Sequence, residues 1–174
     1  MELTANSLQY YAMLHTLSSL PQNLLLIYGR DNAAEFVLHE LCKEHCFNLK
    51  KAAYLAHNPD FRCMRGVAGY TEQESYRECP CFWKKPDEFS EHMQSAVFNK
   101  KVRGVERVCK NDVCDVELCE LAKELGMTNH GVCSWQLKNG NTGILLFERD
   151  VVGHEDDLEF LRKALAILGF CPIF

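Results

Sequence analysis

Residues 131 to 148 constrain the fold more than any other stretch. Gly131 to Leu137 and Thr142 to Glu148 are two strand-like runs separated by Lys138-Asn139-Gly140-Asn141. Asn-Gly is the pair that best tolerates the positive φ angles of a type I′ hairpin turn. A connection this short forces antiparallel pairing, because a parallel neighbour needs a long crossover. Any fold for this chain must therefore contain an antiparallel sheet, and a flavodoxin-like receiver, suggested by Leu24 to Tyr28 followed by Gly29 and a helix, conflicts with it.

A second hairpin is written in Lys51 to His57, the turn Asn58-Pro59-Asp60 and the return Phe61 to Tyr70, although Gly66 and Gly69 weaken the return as a strand. Val102 to Val108 is a further short strand. Helical spacing fills the rest. Leu3, Ser7, Tyr11, Leu14 and Leu17, with Leu8 and Leu20, give one apolar face up to Pro21. Leu24 to Tyr28 reads equally as a buried strand or a helix end. Asn32 and Glu35 have capping-box spacing before a helix through Phe36, Val37, Leu41 and Cys42 to about Cys46. Pro86-Asp87 starts a helix with Phe89, Met93 and Val97 on one face. Asp112 and Asp115 load the first turn of another, whose face is Cys114, Leu118, Leu121 and Leu125 and whose stop is Gly126. Glu155-Asp156-Asp157 opens the last helix, with Leu158, Leu161, Leu165 and Leu168 inward and Gly169 and Pro172 closing it. This order predicts an α+β fold: a central antiparallel sheet with the terminal helices on one face and the intervening segments over the other.

At 174 residues the chain suits one domain, and no repeat or low-complexity linker divides it. A net charge of -5 and the pairing of its densest cations, Lys84-Lys85 and Lys100-Lys101, predict no direct nucleic-acid partner. No apolar run reaches spanning length, so no membrane partner is expected, and the location predicted is cytoplasmic. Ten cysteines fall short of a disulfide scaffold, and free thiols are expected.

Leu125 to Leu168 resembles the C-terminal half of GAF domains, small-molecule sensor modules of signalling proteins. The matching residues are Leu125-Gly126, Cys133 to Leu137, Asn139-Gly140, Gly143-Ile144-Leu145-Leu146 and Glu155-Asp156-Asp157-Leu158. Ala52 to Leu55, Val67 to Tyr70 and Phe89 to Lys101 are similar to the earlier strands and helix of such domains. The resemblance spans about residues 32 to 169, giving a GAF-like domain over 32–174 preceded by an N-terminal helical extension, 1–31, that packs on it or on a dimer partner.

This resemblance implies a pocket on the sheet face away from the terminal helices, built by Arg77 to Trp83, the helix from Phe89, and Val105 to Cys119. Tyr70, Phe82, Trp83, Val105, Cys119, Cys133 and Trp135 are its candidate ligand contacts, although for any one aromatic core or rim packing is the favoured role. Replacing Phe82 or Trp83 by Ala is expected to weaken binding and leave the fold intact. The ligand and any cofactor are not specified by the sequence. Occupancy of the pocket, by ligand or by redox change, is expected to alter the packing of the first and last helices, and a homodimer through those helices is the implied partner arrangement.

Two alternatives rest on the thiols. Cys79-Pro80-Cys81 places two thiols one residue apart, suited to a metal or redox role but short of the usual zinc spacing. His39, Cys42, His45 and Cys46 share helical turns, but small buried cysteines and solvent-facing histidines explain them better. Cys109, Cys114 and Cys119 match no helical face or compact cluster motif. One GAF family reduces free methionine sulfoxide with pocket cysteines, but its Gly-rich catalytic segment has no counterpart beside Gly131-Val132-Cys133. No Gly-x-Ser-x-Gly, phosphate-cradling or His-Glu-x-x-His motif occurs, and a non-enzymatic sensor is the reading adopted.

Overall fold

The computed structural model describes residues 5–76, 81–109, 115–150 and 155–173. Its centre is a five-stranded antiparallel sheet in the order β3-β2-β1-β5-β4, built from β1 (Lys51–Asn58), β2 (Cys63–Thr71), β3 (Glu106–Val108), β4 (His130–Gln136) and β5 (Thr142–Glu148). The helices are α1 (Ala5–Leu26), α2 (Ala33–Cys42), α3 (Pro86–Ser95), α4 (Val97–Arg103), α5 (Asp115–Glu124) and α6 (Glu155–Leu165). Among the described residues, no helix is long and apolar enough to cross a membrane.

Strand alternation sorts the core into two layers. Ala52, Tyr54, Leu145, Phe147 and Cys133 face α2 and the terminal helices, where Phe36, Leu41, Leu20, Leu161 and Leu165 meet them. Ala53, Leu55, Met64, Ile144 and Leu146 face the opposite way, under Val102, Leu118, Leu121 and Ala122 of α4 and α5. This is the α+β arrangement expected from the sequence, a central antiparallel sheet with the terminal helices on one face.

Several local readings change. Leu24 to Tyr28 is no strand: α1 runs on through Pro21 to Leu26, and Ile27 is buried just beyond it. The hairpin turn is not type I′. Leu137 N–H donates to the Asn141 carbonyl at 2.8 Å, the intervening residues form one 3₁₀ turn, and Gly140 supplies the positive φ of 76°. A three-residue loop of this kind also matches the twist of its strands. Asn32 makes no capping hydrogen bond. Its side-chain amide donates to Ser90 Oγ at 2.9 Å instead.

Val102 to Val108 is a strand only from Glu106, because α4 occupies the first part of that run, with Val97 at its exposed start. The two glycines that weakened β2 explain this helix. A Cβ at Gly66 would lie 1.7 Å from the Val102 carbonyl oxygen, and one at Gly69 would lie 2.8 Å from the Val102 side chain. Glycine here lets the backbone of α4 rest on the sheet.

Glu35, 2% exposed, turns from its helix towards α4. Its carboxylate accepts from Asn99 Nδ2 at 2.8 Å and from Arg103 at 2.7 Å. Asn99 also accepts the Gly69 N–H at 2.8 Å, satisfying a backbone donor on the part of β2 that β3 does not reach. One amide side chain thus ties α2, α4 and the sheet edge together.

Candidate functional site

On the α5 side, the apolar cover of the sheet stops short of the strand ends nearest the two hairpin turns. His57 pairs in register with Thr142, and Thr142 with Gln136, so three polar side chains form a row across β1, β5 and β4. Ser134 lies one step along β4 on the same face. These residues floor a cleft of about 410 Å³, walled by Leu118 and Asp115 of α5 and by Pro59 of the first hairpin turn. His57 also borders a second cleft, of about 740 Å³, between the β1–β2 end and the α4–β3 connection, lined by Phe61, Arg65, Arg103 and Val105 among others.

His57 is the chemically conspicuous member of this group. It is 6% exposed, yet its Nε2 is buried with no hydrogen-bond partner among the described residues. Leaving an imidazole nitrogen in that condition costs about 1–3 kcal/mol. The charges nearby are already matched: Arg65 meets Glu106 at 2.7 Å, and Arg103 meets Glu35. The 410 Å³ cleft offers hydroxyl, amide and imidazole groups and one carboxylate, Asp115, with no lysine or arginine among its lining residues, a set suited to an uncharged or cationic guest rather than an anion.

The seven contacts expected from the sequence do not converge. Phe82 and Trp83 are buried against Phe36 of α2, with ring centroids at 5.8 and 5.3 Å, and Trp83 Nε1 donates to Glu40 at 2.9 Å. They are core on the terminal-helix side, so the expectation that Ala would leave the fold intact is corrected: losing either aromatic opens a cavity costing about 3–5 kcal/mol. Tyr70 joins the same nucleus, 5.1 Å from His39. The cause is a bulge at Val67, where the register steps from Tyr54↔Ala68 to Leu55↔Gly66 and reverses the facing of every later residue of β2. Trp135 stacks on Tyr54 at 5.3 Å, above Gly143, and Cys133 is buried in that same layer. Only Val105, beside the larger cleft, and Cys119, half-buried on α5, lie on the other side.

The thiols give no activated nucleophile where their environment is resolved. Burial pushes Cys46 and Cys171 up to about 12 and raises Cys42 well above its ordinary value, all toward the unreactive protonated form. Burial also raises Cys133, against the pull of Arg162 and Arg149. Cys79 lies outside the described residues, and Cys81 is half-buried at the start of the Phe82 turn. His39, expected to face solvent, is buried instead, its Nε2 accepting the Tyr76 N–H at 3.2 Å. Among the described residues, no group of three or more His, Cys, Asp or Glu is placed to hold a metal ion.

Sequence reasoning passed over His57, Ser134, Gln136 and Thr142. One signal was present: within β4, Val132, Ser134 and Gln136 alternate with Gly131, Cys133 and Trp135, marking a polar face on a strand whose other face is packed. His57 carried no such mark, since its isolation depends on which residues the folded sheet sets around it.

No protein-family model matches the chain, and no curated protein matches it. Among solved structures it is similar to the phycoerythrobilin-bound GAF domain of a cyanobacterial phytochrome, with 13% identity, 98% of this chain and 95% of that chain covered, and a TM-score of 0.49.

Proposed function

We propose that this chain is a regulatory binding module that takes a small, uncharged or cationic polar molecule on the α5 side of its sheet and passes the bound state to a partner through its terminal helices. The observation carrying this reading is the buried, unpartnered Nε2 of His57 beside a cleft whose floor is otherwise hydroxyl and amide. Binding proteins keep a few polar groups unsatisfied inside apolar walls for the guest to satisfy.

The output surface is α1. Met13, Leu20 and Ile27 are buried against the domain, whereas Tyr11, Leu14, Leu25 and Tyr28 are exposed apolar residues of the same segment. Apolar side chains on an otherwise packed helix suit contact with a second copy through the terminal helices. A module of this kind needs no catalytic residue of its own.

Native mass spectrometry of freshly purified protein tests the reading, because it reports retained small molecules and subunit number together. An adduct carried by the wild type and lost in Thr142→Leu is the expected result. Protein that arrives empty, and that no compound of a metabolite library stabilises against heat, would count against it.

A further inference from the structure

The sheet has two free edges and treats them differently. Along β2, α4 lies over the edge, the Gly66 N–H donates to the Val105 carbonyl at 2.9 Å, and the Gly69 N–H donates to Asn99. Among the described residues, no segment hydrogen-bonds along the outer edge of β4. That strand pairs with β5 without a break from His130↔Glu148 to Gln136↔Thr142. Bonds in an antiparallel ladder alternate in direction, and Leu137 bonds inward to Asn141. The backbone groups of Val132, Ser134 and Gln136 therefore point outward, and none has a partner among the described residues.

Exposed edges are usually blunted by charge, proline, a bulge or a covering segment. Gly131 to Leu137 contains no charged residue and no proline, its register has no bulge, and Val132 is 40% exposed. We infer that β4 is a pairing strand, joining edge to edge and antiparallel with β4 of a second copy around a two-fold axis.

Charge selects a second copy as the occupant. A chain of net charge -5 repels itself over much of its surface, but Gly131 to Leu137 carries no charged side chain, so the paired strand segments themselves set no like charges against each other. A two-fold axis perpendicular to the sheet also sets the outward groups of Val132, Ser134 and Gln136 against the same three groups of the other copy, the self-complementarity that an isologous contact requires. The axis keeps both α5 faces on one side. Each polar floor then continues onto the neighbour's β4, which lines the 410 Å³ cleft through Val132, Ser134 and Gln136. The contact is distinct from the α1 surface and does not depend on any ligand.

Two measurements decide it. In amide hydrogen exchange followed by NMR, Val132, Ser134 and Gln136 should exchange about tenfold more slowly in concentrated than in dilute protein; rates independent of concentration would overturn the pairing. In sedimentation equilibrium, protein with the α1 surface blocked by Tyr11→Asp and Leu14→Asp should remain a dimer. Adding Val132→Lys, which places a cation on each side of the axis, or Ser134→Pro, which removes an outward donor, should give a monomer. An α1-blocked protein that is already monomeric, or a dimer indifferent to both edge substitutions, would refute the inference.

Discussion

At the scale of single residues, two buried histidines make the sharpest expectations. His57 keeps an unpartnered buried nitrogen, so replacing it with Leu removes a penalty and should raise the stability of the empty protein by about 1 kcal/mol. The same change should abolish stabilisation by any bound compound. Thermal unfolding of His57→Leu reads both effects, and a destabilised variant would show that the imidazole is held by contacts of its own. His39 is held down to about 3, chiefly by burial and then by Lys43 and His92. The unfolded chain protonates this side chain near pH 6.5 while the folded protein does not, so stability falls as pH drops from there toward the folded value. From pH 7 to pH 5 the loss should be about 2 kcal/mol. Urea titrations at the two pH values check it, with His39→Leu expected to show a shallower fall.

At the scale of elements, what was legible in the sequence is what neighbouring residues decide among themselves. Alternation and turn residues located both hairpins within a residue or two, because strand pairing across a short loop is a local matter. The α2 helix was found through its apolar spacing, yet its supposed cap was misread: Asn32 and Glu35 spend their side chains on Ser90, Asn99 and Arg103, contacts made by residues more than fifty positions away. The last two residues of α4 were taken as strand because that helix's place depends on Gly66 and Gly69, which in isolation look like defects in β2. Tyr70 lies on the terminal-helix face for a similar reason, since one extra residue at Val67 turned it to that side. If the glycines are what admit α4, Gly66→Ala drives a methyl into the Val102 carbonyl and should cost about 3 kcal/mol. Val67→Ala, at the half-buried bulge position next to it, should cost far less. Chemical unfolding of the two variants makes the comparison, and equal losses would remove α4 packing as the explanation.

At the scale of the whole molecule, the sheet separates two layers of unequal strength. The terminal-helix side carries the aromatic nucleus of Phe36, Phe82, Trp83 and Phe89 and the larger apolar cluster. The α5 side is smaller and mostly aliphatic, and α5 rests on it through Leu118, Leu121 and Ala122, with Leu125 just beyond its end. Segments with fewer buried apolar contacts open at lower free energy than the global transition, so α5 should be the first helix of the core to detach. That places the weaker layer over the cleft proposed to bind a ligand. A compound held between α5 and the His57 row binds only the closed form, and it raises the opening free energy of α5 by RT ln(1 + [L]/Kd), about 2.7 kcal/mol at a hundredfold excess over Kd. Native-state hydrogen exchange resolves this. Without ligand, amides of α5 should exchange through a sub-global opening, while those of β1 and β5 exchange only through complete unfolding. With a compound found by thermal screening, α5 protection should rise toward the global value. Protection rising instead in α2 and α3, with α5 unchanged, would move the binding site to the aromatic side of the sheet.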